Sequence, residues 1–188
     1  MRLSKDPVKR AIRDEWYWPT MAELFHHNKG EQIVMLPGSH EWDAVTVEKC
    51  LKISRRDMFC VDNSWAKLAW LRRHFKNTVN IPGDVFEVLE SLGKCAQKLG
   101  WYGTFGAVDL DLCSCANPSV IEGLKSLRKN HAIANGCAIG LTICRRWKPD
   151  AEQDRMIKAA LAPCKEVDRR SYTNGLTRSH MVTMIYQI

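Results

Sequence analysis

From residue 31 onward the chain alternates between short apolar runs and stretches of helical period, five times in succession. The apolar runs are residues 31–36, Met58 to Val61, Thr78 to Ile81, TFGAVDLDL (104–112) and CAIGLTIC (137–144). Helical stretches follow at about 43–53, at WAKLAWLRRHF (65–75), at Val85 to Leu99, from Asn117-Pro118 onward, and at PDAEQDRMIKAALAPC (149–164). Val85, Val88, Leu92, Cys95 and Leu99 repeat at helical spacing. Asn117 followed by Pro118 suits a helix cap and first turn. Consecutive strand–helix units close only as a mostly parallel sheet with helices on both faces. The unbroken apolar run CAIGLTIC fits a strand covered on both sides.

Two segments lie outside this alternation. Residues 6–27 read as helical: Asp6-Pro7 gives a cap and a first-turn proline, and Val8, Ile12, Trp16, Met21, Leu24 and Phe25 recur at helical spacing. Pro19 interrupts, which predicts two helices or a kink. The Trp16-Tyr17-Trp18 cluster is expected to pack this segment onto the sheet, with covering of a cleft as the other reading. At the other end, Tyr172, the turn Thr173-Asn174-Gly175 and HMVTMIYQI predict a closing antiparallel hairpin at the sheet edge. The expectation is an α/β, doubly wound, mostly parallel seven-stranded sheet with a C-terminal hairpin. It forms one domain over residues 1–188, with 1–29 as a helical extension.

Several classes are argued against. No window approaches the about 18 uninterrupted apolar residues of a membrane span. The charged start MRLSKDPVKRAIRDEW does not resemble a secretory signal, so a cytoplasmic location is expected. Of eight cysteines, Cys60, Cys137 and Cys144 sit in apolar runs as small hydrophobes do. Cys113-Ser114-Cys115 lacks zinc-site spacing and a matching second pair, so no metal is expected. No G-x-G-x-x-G follows the first strand and no P-loop lysine–serine motif occurs, which argues against NAD enzymes and ordinary NTPases. Net charge is +7, with clusters at Arg72-Arg73, Lys125 to Lys129, Arg145-Arg146-Lys148 and Arg169-Arg170. Such clusters suit a polyanion surface or solvated helix faces equally.

Carboxylates recur where strands stop. Asp62 ends the second, Asp84 follows the third, and Asp109 and Asp111 close the fourth. In an open α/β sheet these ends converge on one ligand crevice. An acid after the second strand can accept from ribose hydroxyls, and one after the third from an adenine amino group. Gly38 and Gly83 allow close backbone approach. A lone aspartate after a strand also serves as a helix N-cap, the plainer reading for Asp84.

This order of strands and acids resembles the class I S-adenosylmethionine-dependent methyltransferases over roughly residues 30–188. The resemblance implies a glycine-bearing first loop, MLPGSHEWD, in which Leu36, Pro37, Gly38 and Asp43 hold the methionine part of the cofactor. It implies Asp62 and Asn63 of VDNS on the ribose, Gly83, Asp84 and Val85 of PGDVF on the adenine, and Asp109 with LDLCS beside the transferable methyl. The LPG opening also resembles small phage-encoded proteins of methyltransferase type, for which the location would be the host cytoplasm. The first loop has one glycine where the family has acid-x-Gly-x-Gly. The fourth motif has Asp111-Leu112-Cys113-Ser114 and no Pro-Pro-aromatic.

The resemblance implies S-adenosylmethionine as cofactor and Asp111 as the residue that orients the acceptor or takes its proton. Cys113 as a nucleophile lacks the Pro-Cys context of carbon-5 pyrimidine methylation. DNA or RNA is the expected acceptor, on charge alone. Self-association and a protein partner stay open. The alternative is a non-catalytic module of the same fold that serves as a partner protein or nucleic-acid binder.

Overall fold

The computed structural model describes residues 6–28, 30–37, 41–100, 103–112, 114–145, 150–174 and 177–188, without the side chains of residues 41–43 and 150. Gly38 to His40, the Trp101-Tyr102 turn, Cys113, Arg146, Lys148 and Gly175 lie outside the described residues. The chain runs α1 (Pro7–Ile12), a π-helical turn (Arg13–Tyr17), α2 (Trp18–His26), β1 (Gln32–Met35), α3 (Glu41–Leu51), a 3-10 turn (Arg55–Asp57) and β2 (Met58–Asp62). It continues with α4 (Trp65–His74), β3 (Val79–Pro82), α5 (Val85–Leu99), β4 (Phe105–Asp111), α6 (Pro118–Leu127), β5 (Ile133–Cys144), α7 (Asp150–Leu161), β6 (Lys165–Thr173) and β7 (His180–Gln187).

The seven strands form one sheet in the order β3-β2-β1-β4-β5-β7-β6. The first five are parallel, and β7 is antiparallel to both β5 and β6. The expected hairpin is present, but its second strand is inserted beside β5 and its first forms the edge. Alternate residues of each strand feed two cores. Val34, Val61 and Val108 face α5, α6 and α7; Ile33, Met35, Cys60 and Ala107 face α2, α3 and α4.

Local chemistry sets the boundaries. Ser64, Asp84 and Asn117 cap α4, α5 and α6 by accepting from backbone N–H groups. Gly100, at φ +68°, ends α5. Lys52, at φ +53°, follows the end of α3, two residues before the periodicity runs out. β5 starts earlier than its apolar run, at Ile133, because the Ala134-Asn135-Gly136 stretch is a bulge rather than a turn. Phe105 pairs with Ile133 but Ala107 with Ala138, and Gly136 takes φ +82°.

The N-terminal segment is two α-helices, as expected, joined without a gap by the π-helical turn, with Pro19 in the first turn of α2. A proline there has no N–H for the Glu15 carbonyl and crowds it in a regular helix. The wide π turn accommodates this, with the Trp18 N–H reaching back to the Arg13 carbonyl. The turn directs Arg13, Trp16 and Tyr17 inward, and all three are buried together with Trp18. Packing is thus the role of the aromatic cluster. Tyr17 fits only because β5 carries Gly140 opposite it. A Cβ at residue 140 would stand 1.7 Å from the Tyr17 hydroxyl.

The cysteines at 60 and 137 are buried, and burial pushes the Cys60 thiol up to about 12 and Cys137 further. No cluster of three metal-ligating side chains occurs among the described residues, and no helix there is long and apolar enough to cross a membrane.

At the β6 edge, Arg169 donates to Asp154 of α7 at 2.6 Å and to Glu166 at 2.5 Å, and Arg145 also pairs with Asp154. The Arg169 hydrogen bond holds the Glu166 carboxyl below its ordinary value. Burial pushes Asp154 up, but the two arginines outweigh it and leave it lowered. Depressed carboxyls stabilise above their unfolded values, about 3.9 and 4.3, and that contribution is lost as pH falls through the lower folded values.

Two outcomes follow for equilibrium denaturation. Gly140→Ala is expected to lower stability by about 1–3 kcal/mol through overpacking against Tyr17; an unchanged midpoint would contradict that packing. Between about pH 5 and pH 3 the native chain should lose stability more steeply than Arg169→Ala. Parallel curves would mean the Asp154–Arg169–Glu166 network contributes nothing.

Candidate functional site

The carboxyl ends of β1, β2, β3 and β4 lie side by side, so the residues singled out in the sequence come to one end of the sheet. Met35 stands opposite Cys60 on one side and Asp109 on the other, and Asp62 opposite Pro82. Asp62 shares its sheet face with Cys60, and Asp109 shares that face with Ala107, by strand alternation. The two acids are separated by β1, roughly 10 Å at the usual strand spacing.

The β2 end is the open half. Asp62 is largely shielded but reachable, with its side chain 13% exposed. It accepts from the Ser64 N–H at 2.7 Å and from the Lys67 ammonium at 2.9 Å. A carboxylate offers about four acceptor positions, so two are left for a ligand. Asn63 is exposed beside it. The turn after β3 is tied to this end, since the Gly83 N–H donates to the Asp62 carbonyl at 3.3 Å. Gly83 takes φ +142°, a conformation that disfavours any side chain. Asp84 is exposed and caps α5 through the Phe86 and Glu87 N–H groups at 2.8 and 3.3 Å. Val85 is buried in the core behind it.

On the β1 side, the Leu36 N–H donates to the Asp109 carbonyl at 3.1 Å and Pro37 is buried. Gly38 lies outside the described residues, and Asp43 is within α3 with its side chain undescribed.

The β4 end is closed. Asp109 has no exposed surface. It accepts from the Arg13 guanidinium at 2.7 Å and from the Tyr17 hydroxyl at 2.5 Å. Arg13 lies over the rings of Tyr17 and Trp18, 4.7 and 4.9 Å from their centroids. Burial pushes the Asp109 carboxyl up against the opposing pull of Arg13. Burial, then the Asp109 charge, pushes the Tyr17 phenol well above its ordinary value, so it stays a neutral donor. Asp111, one turn of the pleat further on, is paired with the Lys9 ammonium of α1, and its side chain is 7% exposed.

Chemically, the site offers a reachable carboxylate and close backbone at β2–β3, and two acids at β4 held by cations of the N-terminal segment. Lys9, Arg13, Tyr17 and Lys67 are the participants that sequence reasoning missed. Lys67 was open to detection, because a lysine five residues past a strand-end acid lies within reach across the first helical turn. Arg13 was not, since its partner is 96 residues away.

No family model and no curated protein matches the sequence. Solved structures do. The chain is similar to Trm5b from Pyrococcus abyssi at 14% identity, covering 89% of this chain and 47% of that one, TM-score 0.55. It is similar to fibrillarin from Aeropyrum pernix, solved with natively bound S-adenosyl-L-methionine, at 14% identity, covering 86% and 67%, TM-score 0.53. It is also similar to 1,6-didemethyltoxoflavin-N1-methyltransferase from Burkholderia thailandensis, solved with bound 1,6-didemethyltoxoflavin and S-adenosylhomocysteine, at 14% identity, covering 96% and 82%, TM-score 0.56. The chain spans about half the length of Trm5b. At this identity the likeness is one of fold, and the chain has the α/β Rossmann-like fold of these methyltransferases.

Proposed function

We propose that the chain binds S-adenosylmethionine at the carboxyl ends of β1 to β3 and transfers its methyl group to a nucleic acid. The observation that carries this reading is the reachable Asp62 carboxylate at the end of β2, with acceptor capacity to spare, inside a sheet of order β3-β2-β1-β4-β5-β7-β6. The donor set fits an adenosyl group. Asp62 and Asn63 would receive the ribose hydroxyls, with Lys67 shifting aside. Gly83 brings its backbone close to the adenine, beside Asp84 and Val85. Leu36, Pro37, Gly38 and Asp43 would flank the methionine part.

When bound, the cofactor supplies an electrophilic methyl group. The chain's own contribution is position, since alignment of nucleophile and methyl supplies much of the rate. Asp111 would orient the acceptor and receive its proton, which requires the Lys9 ion pair to open. Asp109 would serve as a positioning residue, holding the N-terminal segment over the β4 end through Arg13 and Tyr17. The nucleic-acid preference rests on the net charge of +7.

A second reading has its own support. Lys9 and Arg13 occupy both β4 acids, as they would in a non-catalytic module whose β4 end is structural. Incubation with methyl-labelled S-adenosylmethionine and a mixture of RNA, DNA and protein separates the two. Label in nucleic acid, reduced at least about 100-fold in Asp111→Asn, is the expected result. Label in protein alone would overturn the acceptor, and no label with the donor bound would favour the module.

A further inference from the structure

Helix α4 leaves the crevice rim three residues after Asp62 and carries an unusual outer face. Leu68, Leu71 and, just beyond the helix, Phe75 bury its inner side. Outward it presents Trp65, Ala66, Ala69, Arg72 and Arg73, all exposed. Trp65, Ala69, Arg72 and Arg73 recur at offsets of four, seven and eight, so they form one stripe along the helix. Trp65 is 67% exposed, the most of any large hydrophobic residue described. Nothing in the core uses it. Trp70 stacks on His74 with centroids 4.3 Å apart, on the flank of the same face.

The charge carried by the helix itself is of one sign. The helix, WAKLAWLRRH, contains no acid, and Lys76 follows it. Arg55 lies over the Phe75 ring at 4.1 Å, which brings the 3-10 turn, with exposed Arg56, to the far end of α4. Arg55 is paired with Glu48 and Lys67 with Asp62. Among the described residues Arg56, Arg72, Arg73 and Lys76 form no ion pair. A protein-binding patch would add large apolar residues around the aromatic, whereas Trp65 is flanked only by the small Ala66 and Ala69 and by cations. One flat, accessible aromatic with phosphate-binding cations along a helix matches how single-stranded nucleic acid is held, by a base on the ring and phosphates on the arginines.

We propose that the outer face of α4 binds single-stranded nucleic acid, with Trp65 stacking on a base at the crevice rim and Arg72 and Arg73 contacting phosphates. The inference rests on the nucleic-acid part of the proposed function and is independent of the methyl donor. It places the strand on the β2–β3 side, so a strand held there passes the crevice rather than entering it from the closed β4 end.

The test is fluorescence anisotropy of a labelled single-stranded RNA and a labelled single-stranded DNA, titrated with the full chain over a range of salt. Trp65→Ala should weaken binding about tenfold or more, and Trp65→Phe should restore most of it. Arg72→Glu with Arg73→Glu should flatten the logarithmic salt dependence by roughly 1.4, about 0.7 per lost phosphate contact. The arginine pair should leave the heat of S-adenosylhomocysteine binding unchanged, because it lies along the helix away from Asp62. If the native chain binds the oligonucleotides and all three variants match it, the α4 surface is wrong while a nucleic-acid acceptor survives. If the native chain binds neither oligonucleotide at low salt, or binds anionic vesicles instead, the surface and the nucleic-acid acceptor fall together.

Discussion

The buried contact between Arg13 and Asp109 is the interaction on which the arrangement of this end of the molecule depends. Both side chains are buried, and removing one partner of such a pair commonly costs about 3–5 kcal/mol. Much else is fitted to it. The π-helical turn before Pro19 aims Arg13 and Tyr17 at the sheet. Gly140 leaves the space that Tyr17 fills. The aromatic faces of Tyr17 and Trp18 lie against the guanidinium. A segment that by sequence precedes the alternating fold is therefore part of its core.

The pair also divides the crevice in two. At β2, Asp62 is held by an exposed lysine and a single backbone N–H, contacts that a ligand can replace at small cost. At β4, Asp109 is sealed and Asp111 is engaged by Lys9. Under the proposed function, ribose hydroxyls would meet the reachable Asp62 carboxylate on the first side. On the second side, the Lys9 ion pair would have to open before a proposed acceptor reached Asp111. Under the proposed function, donor binding at β2 and transfer at β4 would therefore be separable.

Much of this was legible in the sequence. Five changes of hydrophobic period gave the parallel sheet, and Asp6, Asp84 and Asn117 marked helix starts that they do cap. The alternation placed Asp62 at the strand end where it stands. What was not legible is non-local. Whether β7 or β6 lies beside β5 depends on packing of the closing hairpin, not on its own pattern. The β5 bulge hid behind Asn135-Gly136, which carries the signature of a turn. The burial of Asp109 was invisible because strand alternation tells which face a residue takes, and only the docking of a distant helix tells whether that face is open there. For Asp84 the two roles weighed from the sequence, cap and ligand, are compatible: the carboxylate caps α5 and stays exposed.

Calorimetric titration with S-adenosylhomocysteine tests the proposed role of the Asp62 half of the crevice most directly. The native chain should bind in the micromolar range, and Asp62→Ala should fold normally and bind about 10- to 100-fold more weakly, as expected for lost hydrogen bonds to a charged acceptor. No heat from a folded native chain, or equal affinity in Asp62→Ala, would contradict the account.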